Sequence, residues 1–298
     1  MLRGMAKKDL RPSVVIVGAG SLAHALAKLL PSAGYRISEI VVRTTSERRK
    51  EAERLASSAS ARVVSFQTAS LDSDIVWVAV SDGAIASTAK LMAKLKGWRG
   101  QVILHSSGVL SSAELRALKL RGASVASAHP MMTFVPGKVP RVEGVAWTLE
   151  GDRQATLVAR KMVKNLNGVP LSINVKHKPL YHVFAAFLSP LLVVHLEAAA
   201  RLAVEAGIPE DELSAVMRPI IEQTLQNYFE KKSSGAGAGK AFSGPLIRGD
   251  VATIERHLRA LRRHKEALDL YRSLVASAVK SDLPVKNKAA IERAIRKK

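Results

Sequence analysis

Short apolar runs alternate with amphipathic stretches over residues 1–174 of the chain. The runs are rich in valine and isoleucine, which is typical of buried strands. They predict strands at 13–17, 38–43, 62–65, 74–80, 101–105, 123–128, 144–149 and 171–173. The stretches between them predict helices near 21–33, 46–58, 82–95, 111–121 and 152–166. This alternation predicts an α/β fold, a doubly wound (Rossmann) and mostly parallel sheet.

The pattern becomes purely helical after residue 175, with helices predicted at 178–206, 210–232, 250–264 and 266–281. We therefore expect two domains, a Rossmann domain at 1–174 and an all-α domain at 175–298. The apolar stretch 181–205 contains Pro190, His195, Glu197 and Arg201, and a spanning helix tolerates few such residues. We interpret it as a buried helix.

The first predicted strand runs into "GAGSLA", which fits the G-x-G-x-x-A form of the dinucleotide fingerprint. Gly18 would permit the tight turn, and Gly20 would let a diphosphate approach the backbone. Ser21 and Leu22 open the following helix, and Ala23 takes the third small position, where helix packs on strand. The free N–H groups of the helix start favour an anion. A turn without a ligand is the alternative.

The end of the second predicted strand indicates which dinucleotide binds. NAD sites usually place an acid there, whereas this chain continues with Arg43, Thr44, Thr45 and Ser46. A guanidinium and hydroxyls suit a 2′-phosphate. NADP is therefore the expected cofactor, and a solvated basic helix start is the alternative.

Polar residues also follow the later strands, where doubly wound sheets carry their chemistry. Val80, Ser81 and Asp82 are expected to shape the loop beside the cofactor's ribose, although Asp82 could instead cap a helix.

The next two strand ends carry histidines and hydroxyls. Ser106 and Ser107 could hold a substrate carboxylate, and His105 or His129 could exchange a proton near neutral pH. The alternative is that these histidines are structural hydrogen bonders.

The helical part opens with a further candidate group. Lys178 and His182 lie four residues apart and so share a helix face, while Tyr181 is expected to point elsewhere. Lys178 could protonate a carbonyl or imine as hydride arrives. A solvated helix start is the alternative. The histidines show no recognisable metal-ligand spacing, so no metal is expected. Asp250 resembles a helix N-cap.

Composition narrows the classes of function. The 298 residues include no cysteine, which excludes disulfides and thiolate chemistry and suits the cytoplasm. The net charge of +21 is dispersed rather than gathered into a stripe, so nucleic acid is an unlikely partner.

Seven motifs occur in order between residues 12 and 275: "GAGSLA", "VVRTTSE", "VAVSDGAI", "HSSG", "SAHPMMTF", "LYHVFAAFLSP" and "FSGPLIRGD". Together they resemble a family of bacterial Rossmann-like proteins with a C-terminal helical domain of unknown function. That family is similar to pyrroline-5-carboxylate reductases and, more remotely, to β-hydroxyacid and 6-phosphogluconate dehydrogenases.

The resemblance implies an NADP-binding domain, a helical domain that forms a homodimer, and a site between them. In the dehydrogenases a helix lysine followed by an asparagine transfers the proton. Lys178 and His182 occupy a comparable helix here, but the asparagine is not matched. Family members often have asparagine where this chain has Pro190.

The first hypothesis is therefore an NADP-dependent oxidoreductase acting on a small carboxylated carbonyl or imine. A non-catalytic NADP-binding regulatory or scaffold dimer is the second. A basic nucleic-acid-binding protein is the third.

Overall fold

The computed structural model of the chain describes residues 11–43 and 46–297. They fall into two compact units, which divide between Phe187 and Leu188. The last strand ends at Ser172 and only helices follow, as expected from the pattern. The compact units divide later than the predicted boundary at residue 174, because the first helix after the sheet packs with the strands.

The first unit contains a sheet of eight strands in the order β3-β2-β1-β4-β5-β6-β7-β8. All neighbouring strands are parallel except β6 and β7, which are antiparallel. Chain order reverses between β1 and β4, and ligands of such sheets bind at that point, beyond the carboxyl ends of the strands. The doubly wound sheet is confirmed. The strands are β1 (Ser13–Val17), β2 (Arg36–Val41), β3 (Arg62–Val64), β4 (Ile75–Val78), β5 (Val102–His105), β6 (Ser124–Pro130), β7 (Ala146–Gly151) and β8 (Val169–Ser172).

Helices cover both faces of this sheet, which explains the unbroken apolar runs of its strands. In β1, Val14 and Ile16 pack into the core on one face, and Val15 and Val17 pack into the core on the other. The helices are α1 (Ser21–Ser32), α2 (Ser46–Ala59), α3 (Asp82–Ala93), α4 (Arg116–Lys119) and α5 (Arg153–Asn165). The helix predicted at 111–121 is a 3₁₀ turn, Ser112–Leu115, followed by the single turn α4.

The helices after the sheet are α6 (Lys178–Leu188), α7 (Pro190–Glu205), α8 (Leu213–Ser233), α9 (Pro245–Arg248), α10 (Val251–Ala260), α11 (Lys265–Lys280) and α12 (Lys288–Arg296). The single helix predicted at 178–206 breaks at Ser189, since the residue before a proline is disfavoured in helical conformation. Asp250 caps α10 as expected, accepting from the Thr253 backbone N–H at 3.0 Å. A small core gathers around Ile254, Val279 and Ile291.

The interpretation of 181–205 as a buried helix is wrong for the single chain. Within the stretch Val175–Glu205, the most apolar 18-residue window has a mean hydropathy of 1.8, and none of that window is buried. By length and composition it could span a membrane. Large apolar side chains are exposed along it, among them Leu180, Phe184, Phe187, Leu191 and Val193.

Candidate functional site

The turn after β1 leaves no room for a side chain. Gly18 has φ +119°, and a Cβ added there would lie 2.3 Å from the carbonyl oxygen of Ala79. Its N–H donates to the Val41 oxygen at 2.9 Å, so the turn is fixed against both neighbouring strands. At Gly20 an added Cβ would meet nothing within 4 Å. The first glycine therefore serves packing, whereas the second faces open space.

The start of α1 lies directly behind this open space. Ser21 and Leu22 form its first turn and are partly exposed, and Ala23 is fully buried against the core. The first N–H groups of a helix have no intrahelical acceptor and carry a partial positive charge. The turn thus has the bare backbone and the donors that a diphosphate needs.

A cavity of about 180 Å³ continues from this turn. Arg43, directly beyond β2, is exposed and contributes to its lining, as do Val80 and Ser81. Asp82 is the first residue of α3. Thr44 and Thr45 lie outside the described residues, and Ser46 is described only as the start of α2. The lining consists of Val17, Gly18, Ala19, Val41, Val42, Arg43, Phe66, Val80, Ser81, Ala84 and Thr88.

This lining fits the adenosine end of an NADP-type nucleotide. Its walls are mostly apolar, and its charged side chain is a guanidinium, which can bind a ribose 2′-phosphate. The acid on β2, Glu39, is buried inside the strand and not at its end. Its Oε1 accepts from Arg62 at 2.8 Å and its Oε2 from the Leu71 N–H at 3.1 Å.

His105, at the end of β5, has a structural role. Its Nδ1 accepts from the Ser107 N–H at 3.1 Å, so its Nε2 carries the proton and donates to the Ser111 oxygen at 3.0 Å. Burial, and then the charge of Lys178, lowers the pKa of His105 to about 4. The ring is fully buried and both nitrogens are engaged. The structure therefore does not support His105 as a proton donor.

The two hydroxyls of "HSSG" have different environments. Ser107 is buried, donates to Asp82 Oδ2 at 2.8 Å and accepts from the Leu110 N–H at 2.9 Å. It cannot hold a substrate carboxylate as the sequence suggested. Ser106 is half-buried and accepts from Trp77 Nε1 at 2.8 Å, which leaves its own proton to donate.

Lys178 does not reach the surface. Only 1% of it is exposed, and its Nζ donates to the Ser107 oxygen at 3.1 Å and to Ser127 Oγ at 2.7 Å. Glu150 Oε1 lies 3.5 Å from the same nitrogen, and Ser112 also donates to this carboxylate. Burial lowers the pKa of Lys178, and the Glu150 charge opposes this shift. The alternative of a solvated helix start is therefore wrong for Lys178.

A second cluster lies where β6 ends. His129 Nδ1 is 2.8 Å from the Tyr181 hydroxyl, and its ring meets the His182 ring edge-on at 5.9 Å between centroids. Gly108 permits this contact, because a Cβ there would lie 2.5 Å from His182 Nδ1 and 2.8 Å from His129 Nε2. The "HSSG" turn and the "LYH" helix start are therefore in contact.

The structure brings the candidates His129 and His182 into contact, and it adds three residues that the sequence analysis did not single out. Tyr181 was expected to point elsewhere, yet it contacts His129. Ser127 and Glu150 lie within β6 and β7, and the only signal for them was a polar side chain inside a buried strand. Within the described residues, no group of three or more metal-ligating side chains could hold an ion.

Two family models match parts of the chain. Residues 13–105 match the family model described as "NADP oxidoreductase coenzyme F420-dependent", and residues 145–278 match a domain of unknown function, DUF2520. No curated protein matches the chain by sequence.

Solved structures share the fold over nearly the whole chain. A candidate NADP oxidoreductase from Bacteroides fragilis is 23% identical with a TM-score of 0.74, over 89% of this chain and 96% of that one. A reductive aminase from Aspergillus terreus, solved with NADPH and ethyl-5-oxohexanoate, is 17% identical with a TM-score of 0.67, over 95% and 99%. An imine reductase from Myxococcus stipitatus, solved with NADP⁺, is 20% identical with a TM-score of 0.65, over 96% and 100%.

At these identities the likeness to solved structures establishes the fold alone. The family-model matches add the type of each region, and they confirm the expected NADP-type Rossmann domain. The chain is therefore similar to the NADP oxidoreductase coenzyme F420-dependent model over residues 13–105 and to the DUF2520 model over residues 145–278.

Proposed function

We propose that the protein is an NADP-dependent oxidoreductase that transfers hydride to or from the carbon of a C=O or C=N bond in a small substrate. The observation that carries this proposal is the turn at Gly18 and Gly20, with its open space and the cavity beside Arg43. The imine reductase and the reductive aminase with the same fold support the substrate class. When bound, the nicotinamide supplies the hydride.

Several residues of the first compact unit have distinct roles in the proposed reaction. Gly20 and the start of α1 would hold the diphosphate, and Arg43 would bind the 2′-phosphate. Ser106 would donate a hydrogen bond from its hydroxyl group to the substrate. A substrate carboxylate remains part of the proposal, with Ser106 as its hydroxyl donor. Lys178 would hold the "HSSG" turn against β6 and β7 instead of touching substrate.

Calorimetry with NADPH and NADH tests the cofactor assignment. Charge-assisted hydrogen bonds contribute about 1.5–3 kcal/mol, so Arg43→Asp should weaken NADPH binding about ten- to a hundredfold. NADH binding should change far less. Arg121→Asp makes the same charge change in the exposed turn before β6, at the amino ends of the parallel strands, away from Arg43. An unchanged NADPH preference in Arg43→Asp would refute the phosphate assignment.

NADPH oxidation tests the reaction. 1-Pyrroline and 1-pyrroline-5-carboxylate form a matched pair that differs only in the carboxylate, and pyruvate and acetone provide the carbonyl pair. Faster turnover of the carboxylated member of either pair would support a carboxylate subsite. NADPH binding without oxidation of any probe would favour a non-catalytic NADP-binding protein. The burial of Lys178 is the observation that supports this second candidate.

We further propose that the protein forms a homodimer in the cytoplasm. The exposed apolar faces of the later helices would be buried in the interface of this dimer. Val193 and Val194 of α7 and Ile220 and Phe229 of α8 are each more than half exposed in the single chain. Contiguous apolar faces of this kind usually mark an interface. Sedimentation without detergent should give twice the mass of 32.1 kDa. A monomer, or a protein soluble only in detergent, would contradict the proposal.

A further inference from the structure

One cluster of side chains has no role in the hydride transfer proposed above. It consists of His129, Tyr181 and His182. We call it the His-Tyr cluster. It is built from the end of β6 and the first turns of α6, and it contacts the turn that carries Ser106 through Gly108. Tyr181 is half-buried and His182 is exposed, so the cluster runs from the interior to solvent.

We propose that Tyr181 donates the proton to the substrate nitrogen or oxygen, and that His129 and His182 return a proton to it from solvent. This inference rests on the proposed function and names the proton donor of that reaction. Tyr181 would be a catalytic residue in the sense that it touches the substrate. His129 and His182 would act through it and are positioning residues.

Geometry favours Tyr181 over the other candidates. The ammonium of Lys178 is engaged with Ser107, Ser127 and Glu150 inside the sheet. The nitrogens of His105 are both bound to backbone groups. Tyr181 has a hydroxyl proton, partial exposure and His129 Nδ1 at 2.8 Å from its oxygen, with the Thr148 side chain as a further neighbour. When that nitrogen carries the proton, it donates to the phenol oxygen, and the phenol's own hydrogen is free to face substrate.

The proton balance of the step is simple. As hydride reaches the carbon, the electron pair of the C=N or C=O π bond moves to the heteroatom. A new N–H or O–H bond forms there with the Tyr181 proton, and the Tyr181 O–H bond breaks. The phenolate then takes the Nδ1 proton of His129. A solvent proton, passed along the exposed His182, reaches Nε2 in the same step, so the ring stays neutral, and proton exchange with solvent then returns His129 to the Nδ1–H tautomer for the next turnover.

The charge states of the cluster suit this role. Burial lowers the pKa of His129 to about 4, with further contributions from the charges of His182, Lys178 and His105. Burial raises the pKa of Tyr181, opposed by the Thr148 side chain. At neutral pH the phenol therefore keeps its proton and the His129 imidazole is neutral, with one N–H to give and one nitrogen to receive.

The experiment compares Tyr181→Phe with Tyr35→Phe in the full-length protein. Tyr35 is a buried tyrosine of the same unit, hydrogen-bonded to Asn165 at 3.0 Å and placed before β2, so it controls for loss of a buried hydroxyl. NADPH affinity is measured by calorimetry, and turnover is measured with NADPH and 1-pyrroline-5-carboxylate or whichever probe the wild type reduces fastest. General acid catalysis contributes about 10²–10⁴-fold, so kcat should fall by at least about a hundredfold in Tyr181→Phe alone. NADPH affinity should be unchanged in both variants.

His129→Asn keeps the inference testable if Tyr181→Phe folds poorly. It should lower kcat with little change in the KM of the probe, and it should alter the dependence of kcat on pH, because the proton return is lost. An active wild type with unchanged kcat in Tyr181→Phe, or an unchanged pH profile in His129→Asn, would overturn this inference alone. A wild type that oxidises NADPH with none of the probes would overturn the proposed function and this inference with it.

Discussion

Replacing Lys178 by methionine removes one charge from the buried network below the "HSSG" turn. Methionine keeps an unbranched chain of similar size, so the change isolates the ammonium. Glu150 then remains buried with the Ser112 N–H at 2.7 Å and the Ser112 hydroxyl at 2.9 Å as its donors. The carboxylate loses its counter-charge but not its solvation by Ser112.

The expected loss of unfolding free energy follows from leaving the Glu150 carboxylate without its counter-charge. Removing one partner of a buried ion pair typically costs about 3–5 kcal/mol of unfolding free energy, because the other charge stays buried and unpaired. The bonds from Lys178 to Ser107 and Ser127 are lost as well, although Ser127 Oγ still donates to the Ser107 oxygen at 3.1 Å. Adding Glu150→Gln to Lys178→Met should recover part of the loss, since no uncompensated charge then remains.

Urea unfolding followed by tryptophan fluorescence measures this loss in the relevant unit. The chain has three tryptophans, and Trp77, Trp98 and Trp147 are all fully buried in the first unit. Lys119→Met is the matched control, because Lys119 pairs with Asp152 at a half-exposed site of the same unit. An exposed pair contributes about 0–1 kcal/mol, so the control should stay close to wild type.

Two results would refute this reasoning. A loss in Lys178→Met no larger than that of the control would mean that the ammonium is not buried against Glu150. Strict additivity of Lys178→Met and Glu150→Gln would mean that the two side chains do not interact, since contacting partners couple by about 0.5–3 kcal/mol. Either outcome would restore the sequence-based expectation that Lys178 faces the substrate.

Two further predictions address the glycine turn and the buried histidine. Gly18→Ala should destabilise the first unit and abolish measurable NADPH binding, because the new Cβ would lie 2.3 Å from the Ala79 oxygen at a positive φ. Gly20→Ala should leave the urea midpoint near wild type but weaken NADPH binding, because its methyl occupies only the open space; equal midpoints for the two variants would contradict the assignment. For His105, the folded-state pKa of about 4 lies below the ordinary value of 6.5, so the unfolded state binds more protons between these values and stability falls as pH falls from about 6.5 to 4. His105→Gln should make the loss of unfolding free energy between pH 7 and 4 smaller by up to about 3 kcal/mol, and identical pH slopes would refute the assignment.

Local patterns carried most of the information about the fold. Each strand of the sheet was found within a few residues, since both faces of a covered sheet select apolar residues in unbroken runs. The glycine turn was equally predictable, because Gly18 and Gly20 lie between a strand pattern and a helix pattern in the sequence. The single helix predicted at 178–206 is two helices in the structure. Pro190 interrupts the helix although the apolar pattern continues through it.

The candidate site depended on contacts that no local pattern contains. Lys178 meets Ser107, 71 residues earlier in the chain, and Ser127, 51 residues earlier. The order of the strands brings those partners together. The ammonium of Lys178 is buried and paired with them, whereas Tyr181 contacts His129. The sequence by itself thus determined the doubly wound sheet and its nucleotide turn, because strand burial and the glycine backbone are local properties. Only the tertiary structure decided which polar side chains are buried and which face outward, because desolvation and pairing depend on neighbours supplied by distant strands.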